Sequence, residues 1–116
     1  MEQDKYDGKN ESTKGVEPAW VVRPDPDLQD LIPSFLHNRK CEILDIDEAI
    51  ARKDFETIRR MAHPWKGICS PYGFVHLETL SRNLESSGDQ ENAALAASIA
   101  SDIHAYLENV RVVYDN

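Results

Sequence analysis

Basic residues are in short supply: 13 Lys and Arg stand against 21 Asp and Glu in 116 residues, a formal charge of −8. Binding along a phosphate backbone needs clustered cations that displace counterions, so a nucleic-acid partner is not expected, and neither is an anionic membrane surface. Cysteine occurs twice, at Cys41 and Cys69, with no Cys-x-x-Cys pair. That matches neither a disulfide framework nor a zinc knuckle and suggests reduced, half-buried thiols. No apolar run approaches the ~20 residues that span a bilayer, and the charged stretch from Met1 to Gly15 lacks the apolar segment of a signal peptide. A cytoplasmic protein is expected. Glycine-rich phosphate loops are also missing, and with them any ATP site.

What is present suffices for one core. Hydrophobic residues make up 41 % of the chain, and a chain of this length has room for a single domain. Residues 1–19 have almost nothing to bury, so ordering them would cost backbone entropy without return; they read as a flexible leader to a domain over 20–116. Trp20, Val21 and Val22 form the first apolar cluster. Asp25 can cap and Pro26 can open a short helix that runs through Leu31.

Pro33 can open a second helix, in which Phe35, Leu36, Ile43, Ile46 and Ile50 recur near multiples of 3.6 to about Arg52. Asp54 is a candidate cap for a third, whose apolar residues run from Phe55 and Ile58 through Met61, Ala62, Trp65, Ile68 and Cys69 to Tyr72. Gly73 interrupts that pattern. A fourth helix reads from Phe74 through Leu77, Leu80 and Leu84, with Ser86, Ser87 and Gly88 as its stop and Asp89 as the cap of a fifth. The fifth carries Leu95, Ile99, Ile103, Tyr106, Leu107 and Val110, and its Ala-rich composition predicts extension past Arg111. No segment alternates like a strand. The expected fold is all-α, an antiparallel four-helix bundle with a short additional N-terminal helix across one end.

His63 stands apart from the other three histidines by its phase. At about 100° per residue it points roughly 150° away from the apolar stripe centred near Ile58 and Trp65, into solvent. Arg59, Arg60, Lys66, Gly67 and Ser70 are its neighbours on the helix surface. Between Arg52 and Gly67 five cations face two anions, a local inversion of sign that suits an anionic group beside the imidazole. Lys66 can add a point charge there. Gly67 costs a helix about 1 kcal/mol relative to Ala and clears the approach to the ring. If the third and fourth helices fold back about Gly73, Glu85 comes to face His63, where its carboxylate can hold Nδ1–H and leave the Nε2 lone pair outward.

His63, Lys66 and Gly67 resemble the His-x-x-Lys-Gly signature of histidine-containing phosphotransfer (Hpt) domains. The similarity extends from about Leu28 to Tyr114 and includes Asp54 and Phe55 before the signature and Tyr72, Gly73, Phe74, Leu77, Leu80, Leu84 and Glu85 after it. The resemblance implies a phosphorelay protein of two-component signalling. His63 would accept a phosphoryl group from an aspartyl-phosphate receiver domain or kinase and pass it to another receiver. Lys66 would stabilise charge and Glu85 would orient the ring. The partners implied are receiver domains of a response regulator or a hybrid histidine kinase. No cofactor is expected in this chain, with Mg2+ supplied only by the partner, and a monomer is expected because the apolar faces are already used.

Pro64 departs from the family, which usually has a helix-compatible polar residue there. It should kink or widen the third helix. This residue favours the alternative, a helical adaptor that docks a receiver or another signalling protein without being phosphorylated. A histidine-kinase dimerisation helix is a further rival, but there an acidic residue normally follows the histidine. Ile58, Trp65, Phe74 and the surface near them are expected to form a docking site. Met61, Trp65 and Tyr72 otherwise read as core, and Ser70 lacks the turn and oxyanion donors of a hydrolytic serine. His37, His76 and His104, taken with Cys41 and Cys69, lack the His-x-x-x-His or Cys-x-x-Cys spacing of a metal site, so no metal is expected.

Overall fold

A computed structural model describes residues 20–114; the leader read over residues 1–19 lies outside them. Four helices pack into an all-α bundle: α1 over Ile32–Ala51, α2 over Phe55–Ile68, α3 over Val75–Asp89 and α4 over Ala93–Asn109. A 3-10 helix over Pro26–Leu31 precedes α1. Asp25 caps it as expected, its Oδ1 accepting from the Asp27 N–H at 2.9 Å. None of the described helices is long and apolar enough to cross a membrane.

The inward face of α1 is Ile32, Phe35, Arg39, Ile43, Ile46 and Ala49, a three-and-four repeat that meets α2 and α4. Asp54 starts α2 by accepting from Thr57 N–H at 3.2 Å and Thr57 Oγ1 at 2.7 Å. These bonds favour the ionised cap and hold its carboxyl below the usual range. The helix then runs without interruption through Pro64. It ends at Ile68, and the last residues of the predicted third helix, Ser70–Tyr72, form a separate 3-10 turn. Gly73 closes that turn at φ +95°, where a Cβ would sit 3.2 Å from Val22 Cγ1.

Three further boundaries differ from the sequence reading. Ser86, Ser87 and Gly88 do not stop α3, which continues to Asp89. Ser87 and Gly88 are buried, and their small size admits α2: a Cβ on Gly88 would lie 2.8 Å from Arg59 Cγ and 3.3 Å from the Phe55 carbonyl. Asp89 therefore caps nothing. The chain reverses at Glu91, φ 52°, and Asn92 caps α4 through its Oδ1, 3.0 Å from Leu95 N–H. Finally, α4 stops at Asn109 rather than passing Arg111. The following residues are β-branched at Val110, Val112 and Val113, and a short strand forms instead.

That strand corrects the expectation of no β-structure. Val21–Val22 (β1) and Arg111–Val112 (β2) pair in parallel. Arg111 N–H donates to the Trp20 carbonyl at 2.7 Å and Val113 N–H to the Val22 carbonyl at 2.8 Å. The clasp ties the start of the described chain to the end of α4. Beneath it lies a mostly aliphatic core with Trp65, Phe74, Ile58, Leu77 and Leu84 fully enclosed. Phe35 stacks on Phe74 at 4.9 Å between ring centroids.

Candidate functional site

His63 sits two-thirds exposed on α2, with 67 % of its side chain accessible. The apolar faces of Ile58, Ala62 and Trp65 are turned into the core, so a residue at the phase of position 63 emerges on the opposite side, as its spacing predicts. Glu85 comes from α3. Its Oε2 lies 2.8 Å from His63 Nδ1, and its Oε1 lies 2.5 Å from Lys66 Nζ. One carboxylate thus holds both residues that the sequence singled out.

The Lys66 hydrogen bond is the main cause that keeps the Glu85 carboxyl below the usual range; its partial burial opposes this and the His63 contact adds to it. An ionised carboxylate only accepts hydrogen bonds. The proton between His63 and Glu85 therefore belongs to Nδ1, and in a neutral ring the Nε2 lone pair is free. Among the described residues nothing pairs with Nε2. A Cβ built on Gly67 would meet nothing within 4 Å, so the glycine leaves open space rather than relieving a clash within the chain.

A shallow depression of about 450 Å³ adjoins the ring, lined by Glu56, Arg59, Arg60, His63, Pro64 and Glu85. Its charge is more balanced than the α2 sequence alone implies, because α3 contributes acids. Arg59 donates to the Gly88 carbonyl at 3.1 Å and lies 3.7 Å from Asp89. Lys66 is paired with Glu85. The basic excess read between Arg52 and Gly67 is thus offset across the helix interface. Of the cations lining the depression, Arg60 is the exposed one, with a 3.4 Å contact to Thr57 Oγ1 within its own helix and the Asp54 charge near enough to feel it.

The expected docking trio is corrected outright. Ile58, Trp65 and Phe74 are 0 %, 1 % and 0 % exposed; their apolar character goes into the core and cannot meet a partner. Ser70 lies in the exposed 3-10 turn after α2 and acts on the Glu78 carboxyl of α3. His104 pairs with Asp47 at 2.6 Å, tying α4 to α1, and His76 lies against Tyr106 at 5.3 Å.

One supporting group was missed by the sequence reading. Arg39 is buried on α1, its guanidinium on Glu42 at 2.9 and 3.1 Å and over the rings of Phe35 and Trp65. Glu42 Oε1 also accepts from Trp65 Nε1 at 2.7 Å. This cluster fixes the turn of α2 that carries Lys66. The available signal was Arg39's place in the apolar phase of α1, one turn from both Phe35 and Ile43. No family model, curated protein or solved structure matches the chain.

Proposed function

We propose that the chain is a phosphorelay intermediate of the Hpt type, with His63 as the phosphoryl acceptor. The observation that carries this reading is the exposed His63 ring with Nδ1 held by Glu85 and Nε2 open to solvent. In the proposed step, Nε2 attacks phosphorus of an aspartyl phosphate on a receiver domain. The N–P bond forms as the bond from phosphorus to the aspartyl oxygen breaks, and the aspartate leaves as its carboxylate. Nδ1–H stays on Glu85, which offsets the positive charge that develops on the ring. Lys66 then divides its ammonium between Glu85 and the phosphoryl oxygens. Gly67 leaves room for the partner's surface.

Phosphoryl transfer demands little covalent chemistry from the protein beyond positioning and charge. Magnesium and the second carboxylate belong, in this reading, to the receiver. An antiparallel order of the four helices, with the Pro26–Leu31 helix across one end, is part of the proposal. It is supported by the connections of three, six and three residues at 52–54, 69–74 and 90–92. A cytoplasmic location follows from the same reading, since receivers and their kinases' catalytic parts work there.

The test is incubation with a phospho-charged receiver domain. Wild-type chain should take up an acid-labile, alkali-stable label, and His63→Gln should take up none while keeping its helical content. Label that persists on His63→Gln would refute the site. The second reading, an adaptor that docks without phosphorylation, is favoured by Pro64 directly after His63 and by the engagement of Lys66 with Glu85. It would be selected by a receiver that binds the chain and never transfers.

A further inference from the structure

On α1, away from the elements that build the His63 site, His37 and Cys41 are both exposed and one helical turn apart. Cys41 Sγ lies 3.6 Å from His37 Nε2. Their spacing is neither His-x-x-x-His nor Cys-x-x-Cys, yet four residues on a helix place two side chains on one face equally well in a mixed pair. A tetrahedral zinc-class ion with bonds of about 2.3 Å to sulfur and 2.0–2.1 Å to nitrogen holds those two atoms about 3.5–3.6 Å apart. The separation present in the chain therefore matches the bite of a chelate. Among the described residues neither has a competing partner.

Two donors leave two positions of a tetrahedron unfilled, and among the described residues no group of three or more His, Cys, Asp or Glu converges as a metal site. The described part of one chain therefore supplies two of the four donors of a tetrahedral site at this place. Leu44, one turn beyond Cys41 on the same side of α1, is 58 % exposed, and it gives that side an apolar step which a symmetric contact would cover. We propose that His37 and Cys41 form half of a thiophilic divalent-metal site that is completed by the same pair of a second copy, giving a metal-bridged dimer with two imidazoles and two thiolates on one ion. The charge balance is simple. Each thiol releases one proton on binding, two thiolates neutralise the dication, and the imidazoles coordinate as neutral ligands. No electron is transferred. The symmetric arrangement is a two-fold contact, in which each copy offers the same surface.

The other thiol does not confuse the measurement. Cys69 is fully enclosed, and burial pushes its thiol up to about 12, so a metal thiolate seen in the folded chain reports Cys41. The experiment is titration of the reduced, full-length chain with Co2+. The readouts are the thiolate-to-cobalt charge-transfer absorption and sedimentation. Expected are a charge-transfer band that saturates at half an equivalent of Co2+, a shift from monomer to dimer, and displacement by Zn2+. His37→Ala and Cys41→Ser should each lose the band and the dimer, whereas His63→Gln should keep both. Alkylation of Cys41 in the folded wild type should do the same as the substitutions without altering the sequence. The proposal is overturned by the absence of a band, by a band that survives loss of either ligand, or by saturation at a full equivalent on a monomer.

Discussion

His63 Nδ1 and Glu85 Oε2 stand 2.8 Å apart across 22 positions of sequence, and the second oxygen of the same carboxylate holds Lys66. Glu85 is therefore shared between orienting the ring and occupying the cation. Those two effects pull in opposite directions on phosphoryl transfer. Orientation favours attack by Nε2, whereas an ammonium held by a carboxylate is less available to phosphoryl oxygens.

Substitutions at Glu85 separate the two effects. Glu85→Gln keeps an oxygen that can accept from Nδ1–H and frees Lys66, so the labelling rate should stay within about threefold of wild type. Glu85→Ala removes the orienting partner, and a loosely held ring should slow labelling by on the order of tenfold to a hundredfold. Lys66→Ala should slow it as well. Its effect on unfolding free energy should remain under about 1 kcal/mol, because the ion pair is partly solvated. Rapid-quench labelling with a charged receiver and chemical denaturation give the two readouts.

The acid side of the stability profile carries the same pairing. Glu85's carboxyl is held below its ordinary value near pH 4.3, chiefly by Lys66. A carboxyl depressed in the folded state stabilises the fold above the unfolded value, and the contribution fades as pH falls through the lowered folded value. Asp54, depressed by its Thr57 bonds, acts in the same direction. Carboxyl titration by NMR should place the Glu85 midpoint below 4.3, and Lys66→Met should return it toward that value. An unmoved midpoint would detach Lys66 from Glu85 in solution.

Much of the fold was legible because helical phase survives without context. The bodies of the four helices follow from apolar spacing, and so does the outward turn of His63. Glu85 was placed by counting outward from Gly73. The errors sit where another element decides. Ser87 and Gly88 look like a helix stop, yet they stay helical and buried, with Arg59 and the Phe55 carbonyl packed against Gly88. A two-residue strand is too short to show alternation, and β2 exists only because β1 lies beside it. The charge near His63 was counted along one helix and left out Asp89, which arrives from the next beside Arg59.

The two glycines inside helices make opposite predictions. At Gly67 a Cβ meets nothing, so Gly67→Ala should stabilise the isolated chain by up to about 1 kcal/mol, while Gly67→Arg should block labelling by obstructing the partner. At Gly88 a Cβ meets Arg59 and the Phe55 carbonyl. Gly88→Val should destabilise by about 1–3 kcal/mol through overpacking and push α2 away from α3. Denaturant midpoints of the variants, with labelling rates for the Gly67 pair, decide both.

Beneath the site, the buried Arg39 depends on Glu42 for its counter-charge and Trp65 depends on it for a hydrogen-bond acceptor. Glu42→Ala strands both groups. Because Glu42 itself is partly exposed and water can reach the gap, the loss should be about 1–3 kcal/mol rather than the larger penalty of a fully enclosed pair. Glu42→Gln should retain part of it. Denaturation monitored by tryptophan fluorescence follows the stability and the Trp65 environment together.

Pro64 supplies the sharpest separation between relay and adaptor. Lacking an N–H, it leaves the Arg60 carbonyl without its helical donor, and its ring crowds that carbonyl, a cost of about 3 kcal/mol in a typical helix interior. The surface position of Pro64 lets water serve the carbonyl instead, so Pro64→Ala should stabilise the chain by about 1–3 kcal/mol. His63 takes its orientation from Glu85, which does not depend on the residue at position 64. Labelling of Pro64→Ala should therefore match wild type within about threefold. If wild type proves inert toward a charged receiver while Pro64→Ala accepts the phosphoryl group, then proline is what silences an otherwise competent histidine, and the native chain works by docking alone.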